Sequence, residues 1–178
     1  MTSETFVREL AAARIGATWN FYSEGAGASV RRARLRAYLE RRRAARLLLV
    51  GEAPGYRGAR VSGLPFTSER QLSGNPPGES TATIVHRALD DLGLADDVLL
   101  WNVVPTHPHL PGRPETNRPP TAAEIEAGLP FVRELAHGRA VLAVGRVAHR
   151  ALGGPYVRHP SRGGAAAFRA ALVDYASS

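Results

Sequence analysis

Three short apolar runs constrain this chain more than any other feature: RLLLVG (46–51), DVLLWN (97–102) and AVLAVG (140–145). They are continuous rather than alternating, which is the pattern of a strand covered on both faces. Helical segments separate them, at 80–92 with Ser80 as its cap and at 121–136 with Thr121 and Glu124 in capping-box spacing. A short helix at 146–153, a fourth strand at 156–161 and a closing helix at 163–176 follow. Ahead of the first strand, helices are expected at 3–14 and 30–44, joined by a glycine-rich loop at 16–29. Strands that alternate with helices pair in parallel through crossover connections. The expected fold is α/β: a three-layer α/β/α sandwich around a short, mostly parallel four-stranded sheet. No repeat or composition break divides the 178 residues, so residues 1–178 read as a single domain.

In such folds a ligand sits beyond the carboxyl ends of the strands. The unusual residues fall there. GEAPG (51–55) follows the first run, NVVPTHP (102–108) the second, and HPS (159–161) ends the fourth. Polar and turn-forming residues thus converge on one edge of the sheet.

The net charge of +7 favours a polyanionic partner. All 23 basic residues other than histidine are arginines. Without lysine there is no side-chain amine for a Schiff base, which excludes lysine-dependent lyase chemistry. The absence of cysteine excludes disulfides, thiolate zinc sites and cysteine-ligated clusters. No apolar run is long enough to span a membrane and no signal-peptide pattern opens the chain, so a cytoplasmic location is expected. The arginines of 30–44 leave two readings open, a solvated helix face or a DNA-facing one. His107 and His109, two apart in the proline-rich segment 106–120, are better read as part of a rim loop than as a metal site, and no metal or other cofactor is expected.

Taken together and in order, GEAPG, GLPF (63–66), WNVVPTHP (101–108), NRPPTAAE (117–124) and HPS resemble the uracil-DNA glycosylase superfamily across roughly residues 46–176. The nearest likeness is to bacterial branches with a GEAPG motif, which usually hold an iron–sulfur cluster through four cysteines that this chain lacks. The resemblance implies hydrolysis of a deoxynucleotide's N-glycosidic bond after the base is flipped out of the DNA. It makes DNA containing uracil or another damaged base the partner and a monomer the expected state.

The resemblance also gives each motif a role. Phe66 is the platform on which the flipped pyrimidine stacks. The amide of Asn102 bonds O4 and N3–H of uracil and is mispaired against cytosine. His159 hydrogen-bonds O2 of the leaving base, while backbone N–H groups near Glu52 and Ala53 bind the same oxygen. Ser161 contacts a DNA phosphate, and Arg118, beside Asn117, belongs to the DNA-facing loop. Arg60 and Arg70 are further candidates for phosphate contacts.

Four departures from the family pattern matter. The uracil-specific branch places its water-positioning aspartate where this chain has Ala53. Related branches carry an acidic pair where it has Arg57 and Gly58. This leaves either Glu52 itself or a group that the sequence does not identify as the acid. Gly55 stands where a tyrosine blocks the thymine methyl group, which leaves open a wider base range, a uracil enzyme like other GEAPG members, or a glycine kept for backbone conformation alone. Arg162-Gly163-Gly164 replaces the leucine that wedges into the duplex, so Arg162 fills the gap or binds phosphate. The missing aspartate, the missing acidic pair and the absent leucine wedge also support an alternative: a catalytically weakened or inactive nucleic-acid-binding member of the same fold.

Overall fold

A computed structural model describes residues 1–177. Four parallel strands, β1 (Leu47–Gly51), β2 (Val98–Asn102), β3 (Ala140–Val144) and β4 (Tyr156–Val157), form one sheet in the order β2-β1-β3-β4. Every residue of β1 and β2 is buried, as their unbroken apolar runs require. The register pairs Gly51 with Asn102. The ladder continues past the strands, with Val103 N–H donating to the Gly51 carbonyl and Val104 N–H to that of Glu52. Both motif-bearing strand ends are therefore fixed to one another. The fourth strand has only two residues instead of six, because the chain turns away from the sheet before the HPS motif.

Around the sheet lie α1 (Ser3–Ala12), α2 (Ala28–Arg41), α5 (Ser80–Asp91), α6 (Ala122–Ala136), α7 (Arg146–Leu152) and α8 (Ala165–Ala176). Two further short helices, α3 (Ala59–Ser62) and α4 (Glu69–Ser73), were not expected from sequence. Each is one turn long and ends on a left-handed glycine, too short to show a helical period. Thr121 and Glu124 close the expected capping box of α6, a device worth about 1 kcal/mol. The cap of α5 is Glu79 rather than Ser80, which is its first helical residue.

The segment expected as a loop before α2 is part of the core. Asn20, Phe21 and Tyr22 are buried, and the Asn20 amide donates to the carbonyls of Leu10 and Ala13 at the end of α1. Leu35, Tyr38 and Leu39 face inward from α2 as their spacing requires. The Tyr38 hydroxyl accepts the N–H of Leu100 at 2.7 Å, satisfying a donor of the edge strand β2.

Many arginines in and around α2 are tied to the protein itself. Arg31 and Arg32 donate to the carbonyls of Phe21 and Tyr22, Arg34 forms a bidentate pair with Glu69, and Arg36 pairs with Glu4. Arg42 and Arg46 pair with Asp96 and Asp97 at the amino end of the sheet, away from the motif edge. The arginine density of this region thus serves packing and ion pairing more than a DNA-facing stripe.

Candidate functional site

The carboxyl ends of β1, β2 and β3, together with the HPS turn, enclose a cleft of about 780 Å³, within the usual range for a ligand site. All nine residues singled out from the motifs line it: Glu52, Ala53, Gly55, Phe66, Asn102, Arg118, His159, Ser161 and Arg162. The fold has brought together side chains spread over 111 positions of sequence, from 52 to 162.

Gly51 explains how two of them meet. A Cβ built there would lie 2.4 Å from Phe66 Cζ and 2.9 Å from Asn102 Oδ1. The glycine that ends β1 therefore lets an aromatic ring and an amide pack against bare backbone. Phe66 itself holds a positive φ of 51°, unusual for a residue with a side chain and a form of backbone strain that concentrates at ligand sites. Apart from glycines, the other described residue with positive φ is Arg162, in the same cleft. From α5, His86 supports this corner, its Nε2 lying 3.0 Å from Thr67 Oγ1. The Asn102 side chain is buried and makes no hydrogen bond to any described residue, so its amide is available to the cleft.

The HPS turn fixes the histidine's tautomer. The backbone N–H of Ser161 donates to His159 Nδ1 at 3.2 Å, and the Ser161 hydroxyl lies 2.8 Å from the same nitrogen. A nitrogen that accepts a backbone N–H carries no proton, so the hydroxyl donates to it as well and the ring proton resides on Nε2. Burial lowers the pKa of His159, which favours this neutral form. The result is an oriented imidazole with one donor, Nε2–H, that no described residue accepts. Ser161, assigned from the motif to a DNA phosphate, spends its only O–H on the histidine instead. Its role in the fold is to orient His159.

Arg118 also differs from its expected role in DNA binding. Its guanidinium grips Glu124 through two bonds of 2.7 and 2.6 Å and donates to the carbonyls of His109 and Pro119. Four of its five N–H groups are thereby used, and its charge is neutralised. Glu124 is only 2% exposed and also accepts the N–H groups of Ala17 and Thr121. Hydrogen bonding to Arg118 is the main cause that holds its carboxyl down at about 2. This pair ties the N-terminal loop, the 106–120 loop and α6 together.

His107 is buried, with Nδ1 2.8 Å from the Pro54 carbonyl and Nε2 3.1 Å from that of Pro114. Both ring nitrogens face backbone carbonyls, and the ring pins the GEAPG turn to the 106–120 loop. Asn117 reinforces the same junction by accepting the Tyr56 N–H at 3.0 Å. An iron–sulfur cluster does not fit this region, since it has no thiolate to offer. Polar links to backbone hold the loop in its place.

Glu52 lines the cleft with its carboxyl pushed up by burial. Sequence reasoning missed a second carboxylate there. Glu79, at the N-cap of α5, lines the same cleft, and burial likewise raises its pKa. It also missed Arg146 and Arg158, which with Arg162 are exposed on the cleft's rim, and Tyr156, 46% exposed beside them. A cap position one residue before Ser80 was the only local signal for Glu79. The rim arginines carried none, since composition does not separate them from the paired ones.

A sequence model of the uracil DNA glycosylase superfamily matches residues 40–173. No curated protein sequence matches the chain significantly. Among solved structures, the crystal structure of wild-type SMUG2 from Pedobacter heparinus is similar over 100% of both chains, with a TM-score of 0.71 at 16% sequence identity. That likeness is one of fold, and it agrees with the parallel four-stranded architecture. The family match spans every strand and every motif that meets in the cleft: the chain belongs to the uracil-DNA glycosylase superfamily.

Proposed function

We propose that this protein is a monofunctional DNA glycosylase that flips uracil out of DNA and hydrolyses its N-glycosidic bond, initiating base excision repair in the cytoplasm as a monomer. The observation that carries this reading is the convergence of Phe66, Asn102 and the neutral, oriented His159 on one cleft. The flipped base stacks on Phe66, and Asn102 pairs with its O4 and N3–H edge. The C1′–N1 bond breaks heterolytically, so negative charge collects on O2 of the base and positive charge on the sugar. His159 Nε2–H donates to O2, with backbone N–H groups near Ala53 assisting, and Glu52 offsets the sugar's charge. Arg146, Arg158 and Arg162 take DNA phosphates at the rim.

Other deaminated or modified bases are secondary candidates, because position 55 carries no aromatic ring and the space beside Gly55 holds only the tip of the Glu79 side chain. Incubation with single- and double-stranded DNA containing uracil, then alkaline cleavage at abasic sites, tests the assignment. Strand breaks at uracil are expected; intact DNA with both substrates would refute uracil excision. The alternative of a binding protein that kept the fold and lost catalysis is favoured by Ala53, which puts no acid at the water-positioning place. It predicts salt-dependent DNA binding with no base release.

A further inference from the structure

We propose that Glu79 is the carboxylate that orients and deprotonates the attacking water, a role resting on the glycosylase reading above. A Cβ at Gly55 would lie 2.7 Å from Glu79 Oε1, and one at Gly58 would lie 2.2 Å from Oε2. Both glycines leave their space to this carboxylate, which arrives from α5, more than twenty residues further along the chain. The place that lacks an acid in the local motif is thus filled from elsewhere in the fold.

The side chain sits there at a cost. An N-cap residue ordinarily turns its oxygen back onto the first free N–H groups of its helix. Glu79 makes no such bond, and no described residue pairs with its carboxylate. Burial alone raises its pKa, with no neighbouring charge contributing. The other titratable groups lining the cleft, apart from arginines, are Glu52, Tyr156 and His159. A half-buried carboxylate with neither cation nor cap bond is costly to the fold, and such uncompensated groups in a cleft concentrate at functional sites. The same helix also buttresses the stacking corner through His86, so Glu79 and Phe66 are positioned together.

The step balances without any further reagent. As the C1′–N1 bond breaks, its electron pair leaves with the base. The water oxygen bonds to C1′ and its proton passes to Glu79. Solvent then takes that proton and supplies one to the base anion. Two carboxylates thereby divide two tasks: Glu52 meets the sugar's charge and Glu79 handles the proton.

The test is single-turnover base release from uracil-containing DNA by wild type and Glu79→Gln, alongside DNA binding at fixed salt. Glu79→Gln should release base about 100-fold more slowly or worse, the usual range for a lost general base, with unchanged affinity. It should also lose the acid limb of the pH–rate profile. Gly55→Ala is the second probe, since its methyl group meets only the tip of Glu79. It should slow wild type about 10-fold by displacing the carboxylate but add nothing in the Glu79→Gln background. Release by Glu79→Gln within about threefold of wild type, a change in base preference alone, or additive effects of the two substitutions would overturn the assignment. Wild type that releases no base would instead overturn the glycosylase reading itself.

Discussion

Replacing Glu124 with glutamine should unfold a keystone without touching the reaction. The carboxylate is 2% exposed and receives two N–H groups of Arg118 and the backbone N–H groups of Ala17 and Thr121. Its pKa falls from an ordinary 4.5 to about 2. A depression of that size is worth about 3 kcal/mol at neutral pH. Glutamine keeps the volume but loses the charge, and its NH2 group points a donor at a donor. Breaking a buried pair from one side costs on the order of 3–5 kcal/mol, which agrees. For a chain of this length the loss corresponds to a fall in Tm of about 6–12 °C.

Urea unfolding followed by tryptophan fluorescence measures the loss, since Trp101 is fully buried and Trp19 partly so. The pH dependence gives a second reading. A carboxyl with a depressed folded-state pKa contributes its full stabilisation above the unfolded value of 4.5 and loses it as pH falls toward 2. The gap between wild type and Glu124→Gln should therefore be widest at pH 6–7 and shrink as the pH drops below 4.5. Arg118→Met should cost a similar amount alone and little more when added to Glu124→Gln. A loss below about 1 kcal/mol, or a gap that persists unchanged at pH 3, would refute the view that this pair clamps the loops. It would also restore Arg118 as a candidate for DNA contact.

Asn102→Ala and His159→Ala should each slow base release by about 100-fold or more while leaving the Kd for DNA nearly unchanged, as measured by single-turnover kinetics and fluorescence anisotropy. Alanine at Arg146, Arg158 or Arg162 should weaken DNA binding similarly for all sequences, each lowering the salt slope of log Kd by about 1. Gly51→Ala would press a methyl group to within 2.4 Å of the Phe66 ring. It should cost about 1–3 kcal/mol in stability and remove base release, measured by urea unfolding and the same excision assay.

The features legible in the sequence were those whose signal is local. The strand cores announced themselves as unbroken apolar runs, and the capping box of α6 as two residues three apart. The strand-end motifs were legible because each is a contiguous turn, and parallel topology forces such turns onto one edge. What stayed hidden depends on partners distant in sequence. Arg31, held by the carbonyl of Phe21, and Arg162, exposed on the rim, are the same letter in the sequence. Ser161 matched a phosphate-binding pattern, yet its hydroxyl had a nearer acceptor two residues away.

Glu79 shows the same limit from the opposite side. A motif states what a segment contains, whereas the chemistry of a cleft depends on what reaches it from every element. Read along the chain, Ala53 and Gly55 look like losses of an acid and of a steric wall. In the fold, the space above Gly55 holds a carboxylate delivered by α5. The two apparent losses and the uncapped helix start have one physical explanation. A side chain at 55 or 58 would exclude Glu79, and a Glu79 turned back to cap its helix would leave the cleft without its second acid. The glycines and the missing cap bond are therefore coupled features of a single site, and substitutions among them should fail to be additive.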